Sequence, residues 1–223
     1  MKPRHIALLY FLIGTIYTLF GNLLPFGPEV ALKGMIIPIL IFYYIFSVRR
    51  NFDIPVLAAL FLSWAGDVAI DFSFIPGLAF FLLSQIMYIT AFTRIPGKSV
   101  VLFNKLYLFI PLVLFGFVLV AVQYKNLNEM RVPVIIYALV ILTMVAAAIN
   151  RMDRVNRLSY IAVLSGAILF VISDSLISIN KFYAPFRYSG IAIMSTYIIA
   201  QYLIIYGIVK QGFSGGSVES TKK

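Results

Sequence analysis

Three ionisable side chains, Lys33, Asp67 and Asp174, lie within long apolar stretches of the sequence. A charged residue at the centre of a bilayer costs about 2.5–3.5 kcal/mol on insertion scales, so such residues usually face a bundle interior and serve a function. Two carboxyl groups in different surroundings can divide acid catalysis between them, one donating a proton while the other stays ionised. We therefore predict that Asp67 and Asp174 are catalytic. The alternative is a buried polar cluster that only fixes helix packing.

Further polar residues accompany these three at helical spacing. Ser63, Asp67 and Asp71 follow one another at intervals of four residues, which places them on one face of a helix. The residues that we predict to bind or position a substrate are Lys33, Ser63, Gln85, Tyr88, Tyr137, Ser173, Tyr197 and Gln201. For the Ser and Tyr members the alternative is a hydrogen bond to a backbone carbonyl or a neighbouring helix.

The elements that must position these residues are membrane-spanning helices. Of the 223 residues, 62% are hydrophobic and only 12% are charged, and the mean hydropathy is +0.99. Soluble domains contain about 45–50% apolar residues. Apolar stretches of roughly 20 residues predict an all-α polytopic membrane protein, a single bundle of eight transmembrane helices over residues 1–210. The predicted spans are 6–24, 30–48, 54–72, 74–93, 102–122, 132–149, 158–179 and 188–209.

The distribution of basic residues predicts the orientation. If the N-terminus is cytoplasmic, 13 of the 18 basic residues lie on the inner side, 4 lie on the outer side and Lys33 lies within a span. This asymmetry follows the positive-inside rule and predicts that both termini are cytoplasmic. Lys33, Asp67, Asp174 and Tyr137 then lie at one depth, roughly 5–8 Å below the outer hydrocarbon boundary at 1.5 Å per residue. We expect a single cavity there.

Composition also excludes several classes of function and indicates the character of the two chain termini. The absence of Cys and the single His5 exclude thiol nucleophiles, Ser-His-Asp triads and Cys- or His-based metal sites, so we expect no metal and no cofactor. The net charge of +10 is explained by membrane orientation, so we expect no nucleic-acid partner. We interpret the N-terminal apolar run as the first span rather than a signal peptide, because it is too long and has no cleavage motif. Residues 211–223 are predicted to be a flexible cytoplasmic tail.

Six segments together resemble the YhhN-type lysoplasmalogenase family of membrane proteins. The segments are ALKGMIIP with Lys33, FLSWAGDVAID with Asp67, PGLAFFLLSQIMYITAF with Tyr88, IIYALVILTM with Tyr137, SGAILFVISDSLIS with Asp174, and TYIIAQYLIIYG with Tyr197 and Gln201. Their order and separation match along most of the chain. The resemblance implies an eight-span enzyme that hydrolyses the vinyl ether bond of lysoplasmalogens to a fatty aldehyde and a glycerophosphoethanolamine or glycerophosphocholine.

Two residues depart from the family pattern. The family usually carries His three residues before the Tyr of the fourth span, where this chain has Gln85, and Pro after the Lys of the second span, where it has Gly34. Gln85 can replace a hydrogen-bond donor but not a group that titrates near neutral pH.

Three functions are compatible with these observations. The first is lysoplasmalogen hydrolysis, with a lysophospholipid substrate and membrane lipid as the partners and the inner membrane of a bacterium as the expected location. The second is a lipid-binding or sensor relative without activity. The third is a small proton-coupled transporter, which also uses intramembrane Asp and Lys, although the sequence has no inverted repeat.

Overall fold

The computed structural model describes residues 2–49, 52–96 and 106–211 and shows an all-α bundle. Nine α-helices occur in these ranges: α1 Pro3–Phe20, α2 Phe26–Gly34, α3 Ile36–Val48, α4 Ile54–Phe72, α5 Phe74–Thr93, α6 Ile110–Gln123, α7 Arg131–Ile149, α8 Arg157–Ser178 and α9 Ser189–Val209. Seven segments are long and apolar enough to cross a membrane, and Tyr107–Gln123 is a shorter apolar helix. The predicted polytopic fold is therefore confirmed.

Some of the sequence predictions fall outside these ranges. The first four residues of the predicted span 102–122 and nearly all of the predicted tail lie outside the described residues. The cytoplasmic placement of the two termini stays a prediction.

The second predicted span is divided into two helices, α2 and α3, which meet at Met35. Pro38 has no N–H, so it cannot donate to the carbonyl of Gly34 one turn earlier. The indole Nε1 of Trp64 on α4 donates to that carbonyl instead, at 2.8 Å. A side-chain donor thus satisfies a backbone carbonyl that would otherwise have no hydrogen bond in the hydrocarbon region. The division also places Lys33 at the end of a short helix.

Two helical hairpins hold most of the inter-helix packing, α4 with α5 and α8 with α9. A Cβ at Gly166 of α8 would lie 2.8 Å from the Ala200 carbonyl oxygen and the Ile204 nitrogen of α9. At Gly77 of α5 it would lie 2.6 Å from the Cα of Ile70. Small residues let the backbones approach closely, which is the usual means of helix association in membranes.

Helix α6 lies at the margin of the bundle. Only Gly116 and Gln123 of its residues are buried. Phe117 is 71% exposed, as is typical of a helix that presents most of its surface to lipid. Its inner side contacts α7, and the seam between these two helices leads to the site described below.

Candidate active site

Two helices bring hydrogen-bonding groups to the carboxyl group of Asp174 on α8. Tyr137 of α7 donates its hydroxyl to Asp174 Oδ2 in a short hydrogen bond. Gln85 of α5 donates from Nε2 to the same oxygen at 3.1 Å and to the Tyr137 hydroxyl oxygen at 2.6 Å. Both donors thus engage Oδ2, and no hydrogen bond from the described part of the chain engages Oδ1.

The carboxyl group of Asp67 on α4 lies in a second polar cluster. Tyr197 of α9 donates its hydroxyl to Asp67 Oδ2 at 2.9 Å, and the Asp67 residue is 3% exposed. Gln201, one turn along α9, donates from Nε2 to Ser63 Oγ at 2.9 Å and to the Tyr197 hydroxyl at 3.3 Å. Tyr88 of α5 donates its hydroxyl to Gln201 Oε1 at 2.6 Å. Helices α4, α5 and α9 are therefore joined by a chain of buried hydrogen bonds.

Aromatic rings lie between the two clusters. The ring of Phe81 packs edge-on against Tyr197, with centroids 6.0 Å apart, and that of Phe170 does the same at 5.7 Å. Phe81 also lines a pocket with Asp174, so the Asp67 and Asp174 clusters are neighbours within the bundle. The structure therefore brings the two predicted catalytic residues into one region of the bundle but gives each its own hydrogen-bond partners.

Two apolar pockets of about 40 Å³ each lie beside Asp174. Asp174, Tyr137, Val134 and Ser178 line both of them. Neither pocket reaches Asp67 or Lys33. Neither of these two pockets is the cavity expected to be shared by Lys33, Asp67, Asp174 and Tyr137, and that expectation stays a prediction. Phe81 lines the second pocket and packs against the Tyr197 partner of Asp67.

Lys33 pairs with Asp71 rather than with either predicted catalytic residue. Its Nζ lies 2.6 Å from Asp71 Oδ1, and the two side chains are 9% and 23% exposed. The break after Gly34 sets this choice, because it places Lys33 beside the last turn of α4. Asp71 was not among the predicted site residues. Its spacing of four residues from Asp67, which places both on one helix face, was the feature of the sequence that could have identified it.

Three serine side chains near the two clusters make further hydrogen bonds. Ser173 donates to the backbone carbonyl of Ile193 on α9 at 3.1 Å, which is the alternative considered for a membrane serine. Ser63 shares a hydrogen bond with Ser84 at 2.7 Å within the Asp67 cluster. At the mouth of the first pocket Ser178 donates to Gln123 Oε1 at 2.6 Å. Neither Ser178 nor Gln123 was predicted, although Ser178 follows Asp174 by one helical turn.

One buried acceptor in the site is without a partner. Gln85 Oε1 accepts no hydrogen bond from the described residues, although its amide nitrogen makes two. A buried acceptor of this kind is costly unless water or a ligand donates to it. As for metals, no three His, Cys, Asp or Glu residues within the described ranges are grouped so that they could hold an ion.

The sequence is similar to a known protein family over most of its length and to two human proteins. The model of the YhhN family matches residues 29–208, a range that includes every predicted site residue. Human lysoplasmalogenase TMEM86B is 27% identical over 187 residues, which cover 83% of this chain and 74% of that protein. Human lysoplasmalogenase TMEM86A is 50% identical over 46 residues, which cover 21% of this chain and 19% of that protein. No solved structure matches the chain.

Proposed function

The chain belongs to the YhhN family, and we propose that it is a membrane hydrolase that cleaves the vinyl ether bond of lysoplasmalogens. Two human relatives, similar over 83% and 21% of this chain, are named lysoplasmalogenases. The observation that carries the proposal is the carboxyl group of Asp174, which is held through one oxygen and lines two apolar pockets.

The proposed reaction starts with a proton transfer. Hydrolysis of a vinyl ether begins when an acid protonates the alkene carbon distant from the ether oxygen, which forms an oxocarbenium ion. Water then adds to the carbon bonded to oxygen and loses a proton. The resulting hemiacetal collapses to a fatty aldehyde and the free glycerol hydroxyl. The enzyme must therefore supply a proton donor and stabilise a positive charge, as glycosidases do with two carboxyl groups.

Asp174 is suited to the proton donor's position. The donors Tyr137 and Gln85 both engage Oδ2, so Oδ1 is the oxygen left to carry a proton toward the pocket. Gln85 lines neither pocket, and its proposed role is to hold the carboxyl group of Asp174 through Nε2. Asp67 lies outside both pockets, and its proposed role is electrostatic stabilisation of the oxocarbenium ion.

The seam between α6 and α7 offers a place for the single hydrocarbon chain. An apolar groove of about 460 Å³ extends from Phe109 to Ala146, and it shares Gly116, Ala138 and Leu142 with the pocket beside Asp174. The groove and the pocket are therefore adjacent along one wall. A chain bound there would place its first carbons next to the carboxyl group of Asp174.

Lys181 is the proposed contact for the lipid phosphate. Its ammonium lies 4.4 Å from the ring centre of Phe74, and it is also close to the ring of Phe182. Both rings line the second pocket with Asp174. An exposed ammonium at this rim can meet a phosphate while the vinyl ether, which is close to the glycerol, lies just inside the hydrocarbon.

The test is aldehyde release from a lysoplasmalogen by the purified full-length protein reconstituted in liposomes. We expect turnover by the wild type and a loss of about a hundredfold or more in Asp174→Asn, because general acid catalysis contributes about 10²–10⁴-fold. Asp153→Asn removes a carboxyl group from an exposed loop and serves as the matched control. Near-normal turnover by a folded Asp174→Asn protein would remove this residue from the chemistry.

A second candidate function is lysophospholipid binding without hydrolysis. The observation that favours it is Gln85, since the residue beside Asp174 does not titrate in the physiological range. Binding of lysoplasmalogen without aldehyde formation, in the wild type and equally in Gln85→His, would identify the chain as a binding protein. Aldehyde release by the wild type would exclude it.

A further inference from the structure

A third pocket lies at the other end of the bundle, where the membrane-spanning helices α4, α5 and α9 meet their loops. Its volume is about 190 Å³, and its polar lining comes from Asp53, Arg94, Arg151 and Gln211. These residues come from the loop before α4, the end of α5, the loop between α7 and α8, and the residues after α9. Ser159, which contacts this pocket's Arg151, precedes Asp174 by about 22 Å along α8 at 1.5 Å per residue. The pocket is therefore separate from the candidate active site.

Arg151 is buried here, and none of the described residues gives it a carboxylate partner. The residue is only 1% exposed. Its Nη2 donates to Ser159 Oγ at 2.8 Å and to Gln211 Oε1 at 3.2 Å, and its guanidinium lies 5.4 Å from the ring centre of Phe92. All of these partners are neutral, and its Nε has no hydrogen-bond partner among the described residues. Buried arginines are usually paired with an anion, so this guanidinium retains unused capacity to bind one.

Two more guanidinium groups add positive charge around the pocket. Arg94 lines it, and Arg154 is close enough to Arg151 to affect its ionisation. Burial, together with Arg154, lowers the pKa of Arg151 to about 10, so the group is still charged at neutral pH. The Nε of Arg154 is also buried without a partner.

Asp53 is the carboxyl group in the pocket. Burial raises its pKa, and the nearby Arg94 opposes that rise. Its backbone N–H donates to the Tyr44 hydroxyl at 2.9 Å, while its carboxyl group lies in the pocket lining. Two lining guanidinium groups thus face one carboxyl group, and the excess charge in the lining is positive.

We propose that this pocket binds a phosphate-type oxyanion through Arg94 and Arg151, supplied either as free inorganic phosphate or as the phosphate of an anionic lipid headgroup. Guanidinium groups present a planar fork of N–H donors that matches phosphate oxygens. A lipid would enter from the leaflet on this side, because the pocket lies at the ends of α5 and α9. This site does not depend on the proposed hydrolase activity.

The experiment measures the melting temperature of the full-length protein in detergent micelles in two arms. The first arm titrates inorganic phosphate against sodium chloride of equal ionic strength. The second compares micelles containing phosphatidylglycerol with micelles containing only phosphatidylcholine, and native mass spectrometry counts the retained phosphatidylglycerol. We expect a saturable rise of the melting temperature in at least one arm. A response to phosphate alone identifies a free anion, and a response to phosphatidylglycerol alone identifies a lipid headgroup.

Four variants connect the response to this pocket. Arg151→Gln is expected to abolish it, and Arg94→Gln to weaken the apparent affinity by about tenfold, the loss of one charge-assisted contact. Asp53→Asn is expected to tighten binding, because it removes the opposing negative charge. Arg157→Gln, which changes an exposed arginine on the same side, is the control and leaves the response unchanged. If Arg151→Gln does not fold, Arg94→Gln and Asp53→Asn carry the test, since no hydrogen bond of either side chain is seen in the described structure.

Two results would overturn the proposal. One is the absence of a saturable shift in both arms with the wild type. The other is a shift that Arg94→Gln and Asp53→Asn leave unchanged. In either case the role of Arg151 is structural: its hydrogen bonds to Ser159 and Gln211 connect the loop after α7 to α8 and to the end of α9.

Discussion

At the scale of single residues, Asp67 and Asp174 differ in what surrounds their oxygen atoms. Asp67 is sealed inside the bundle, with the hydroxyl of Tyr197 on one oxygen. Asp174 receives both of its donors on Oδ2 and lines two pockets. The two carboxyl groups are chemically identical but differ in burial and in access to a pocket. The proposed roles follow from that difference: Asp67 is the electrostatic partner and Asp174 is the proton donor.

Removing the hydroxyl of Tyr137 tests whether Asp174 must be held in place. We expect Tyr137→Phe to lower the rate of aldehyde release by about ten- to a hundredfold. The Tyr137 hydroxyl stabilises the carboxylate that Asp174 becomes as it gives up its proton, and a hydrogen bond to a charged group is worth about 1.5–3 kcal/mol. Tyr88→Phe is the matched control, because it breaks a hydrogen bond to Gln201 in the other cluster. We expect this variant to lower stability more than rate. Equal rate losses in the two variants would contradict a specific role for Tyr137.

The Lys33–Asp71 pair is expected to stabilise the fold rather than to act in the chemistry. Lys33→Met leaves Asp71 charged and about three-quarters buried, which we expect to cost about 1–3 kcal/mol of unfolding free energy, less than for a fully buried pair. The double variant Lys33→Met/Asp71→Leu should recover most of that loss. Unfolding of the wild type, of Lys33→Met, of Asp71→Leu and of the double variant in mixed micelles gives the coupling energy. A coupling energy near zero would show that the pair contributes nothing to stability.

At the scale of helices, the α8–α9 hairpin positions Asp174 and Tyr197 relative to each other. These residues lie on adjacent helices whose backbones meet closely at Gly166. A change in this spacing would move both polar clusters at once. The hairpin is therefore the element whose packing the candidate site depends on most.

A single methyl group at Gly166 tests this close contact. Because its Cβ would lie 2.8 Å from backbone atoms of α9, we expect Gly166→Ala to lower the unfolding free energy by about 1–3 kcal/mol. Gly190→Ala is the control in α9, since a Cβ there meets nothing within 4 Å. Thermal melts of both variants in one detergent give the comparison. A melting temperature unchanged by Gly166→Ala would mean that the hairpin adjusts without cost.

The wall shared by the pocket and the α6–α7 groove gives a test of where the hydrocarbon chain lies. A Cβ at Gly116 would approach Cδ1 of Leu142, and both residues line the groove and the pocket. We expect Gly116→Leu to fill this wall and to shift activity toward lysoplasmalogens with shorter alkenyl chains. Val118→Leu, at an exposed position of α6 that lines neither the groove nor the pocket, is the control. An unchanged ratio of kcat/KM between short and long chains would place the chain elsewhere.

At the scale of the whole molecule, charge and polarity are distributed unevenly along the membrane normal. The candidate active site lies toward the loops that carry few basic residues, and the arginine-rich pocket lies toward the loops that carry many. By the positive-inside rule we predict that the first region faces the outside and the second faces the cytoplasm. Proposed substrate access and proposed anion binding would therefore occur from opposite leaflets.

Cysteine labelling can measure this orientation without background, because the sequence contains no Cys. We expect a cysteine introduced by Asn126→Cys to react with a membrane-impermeant maleimide in intact cells. One introduced by His5→Cys should react only after permeabilisation. Both positions are exposed. The opposite pattern would reverse the orientation and place the candidate active site in the cytoplasmic leaflet.

The sequence by itself determined the all-α membrane class, the approximate spans and which polar residues deserved attention. Apolar length, charge placement and the cost of ionisable groups in hydrocarbon act on each segment separately, so they can be evaluated without knowledge of neighbouring helices. On this basis the sequence was enough to select Asp67, Asp174 and most of the polar residues predicted to accompany them. The segments that carry them were also enough to identify the family.

Only the tertiary structure decided which of these residues are partners. The pairing of Lys33 with Asp71, the separation of Asp67 from Asp174 by Phe81, and the burial of Arg151 were not evident from spacing. Each depends on how helices rotate, break and approach one another, as at Pro38 and Gly166. Those relations arise from contacts between residues distant in the chain, which periodicity within one helix does not encode.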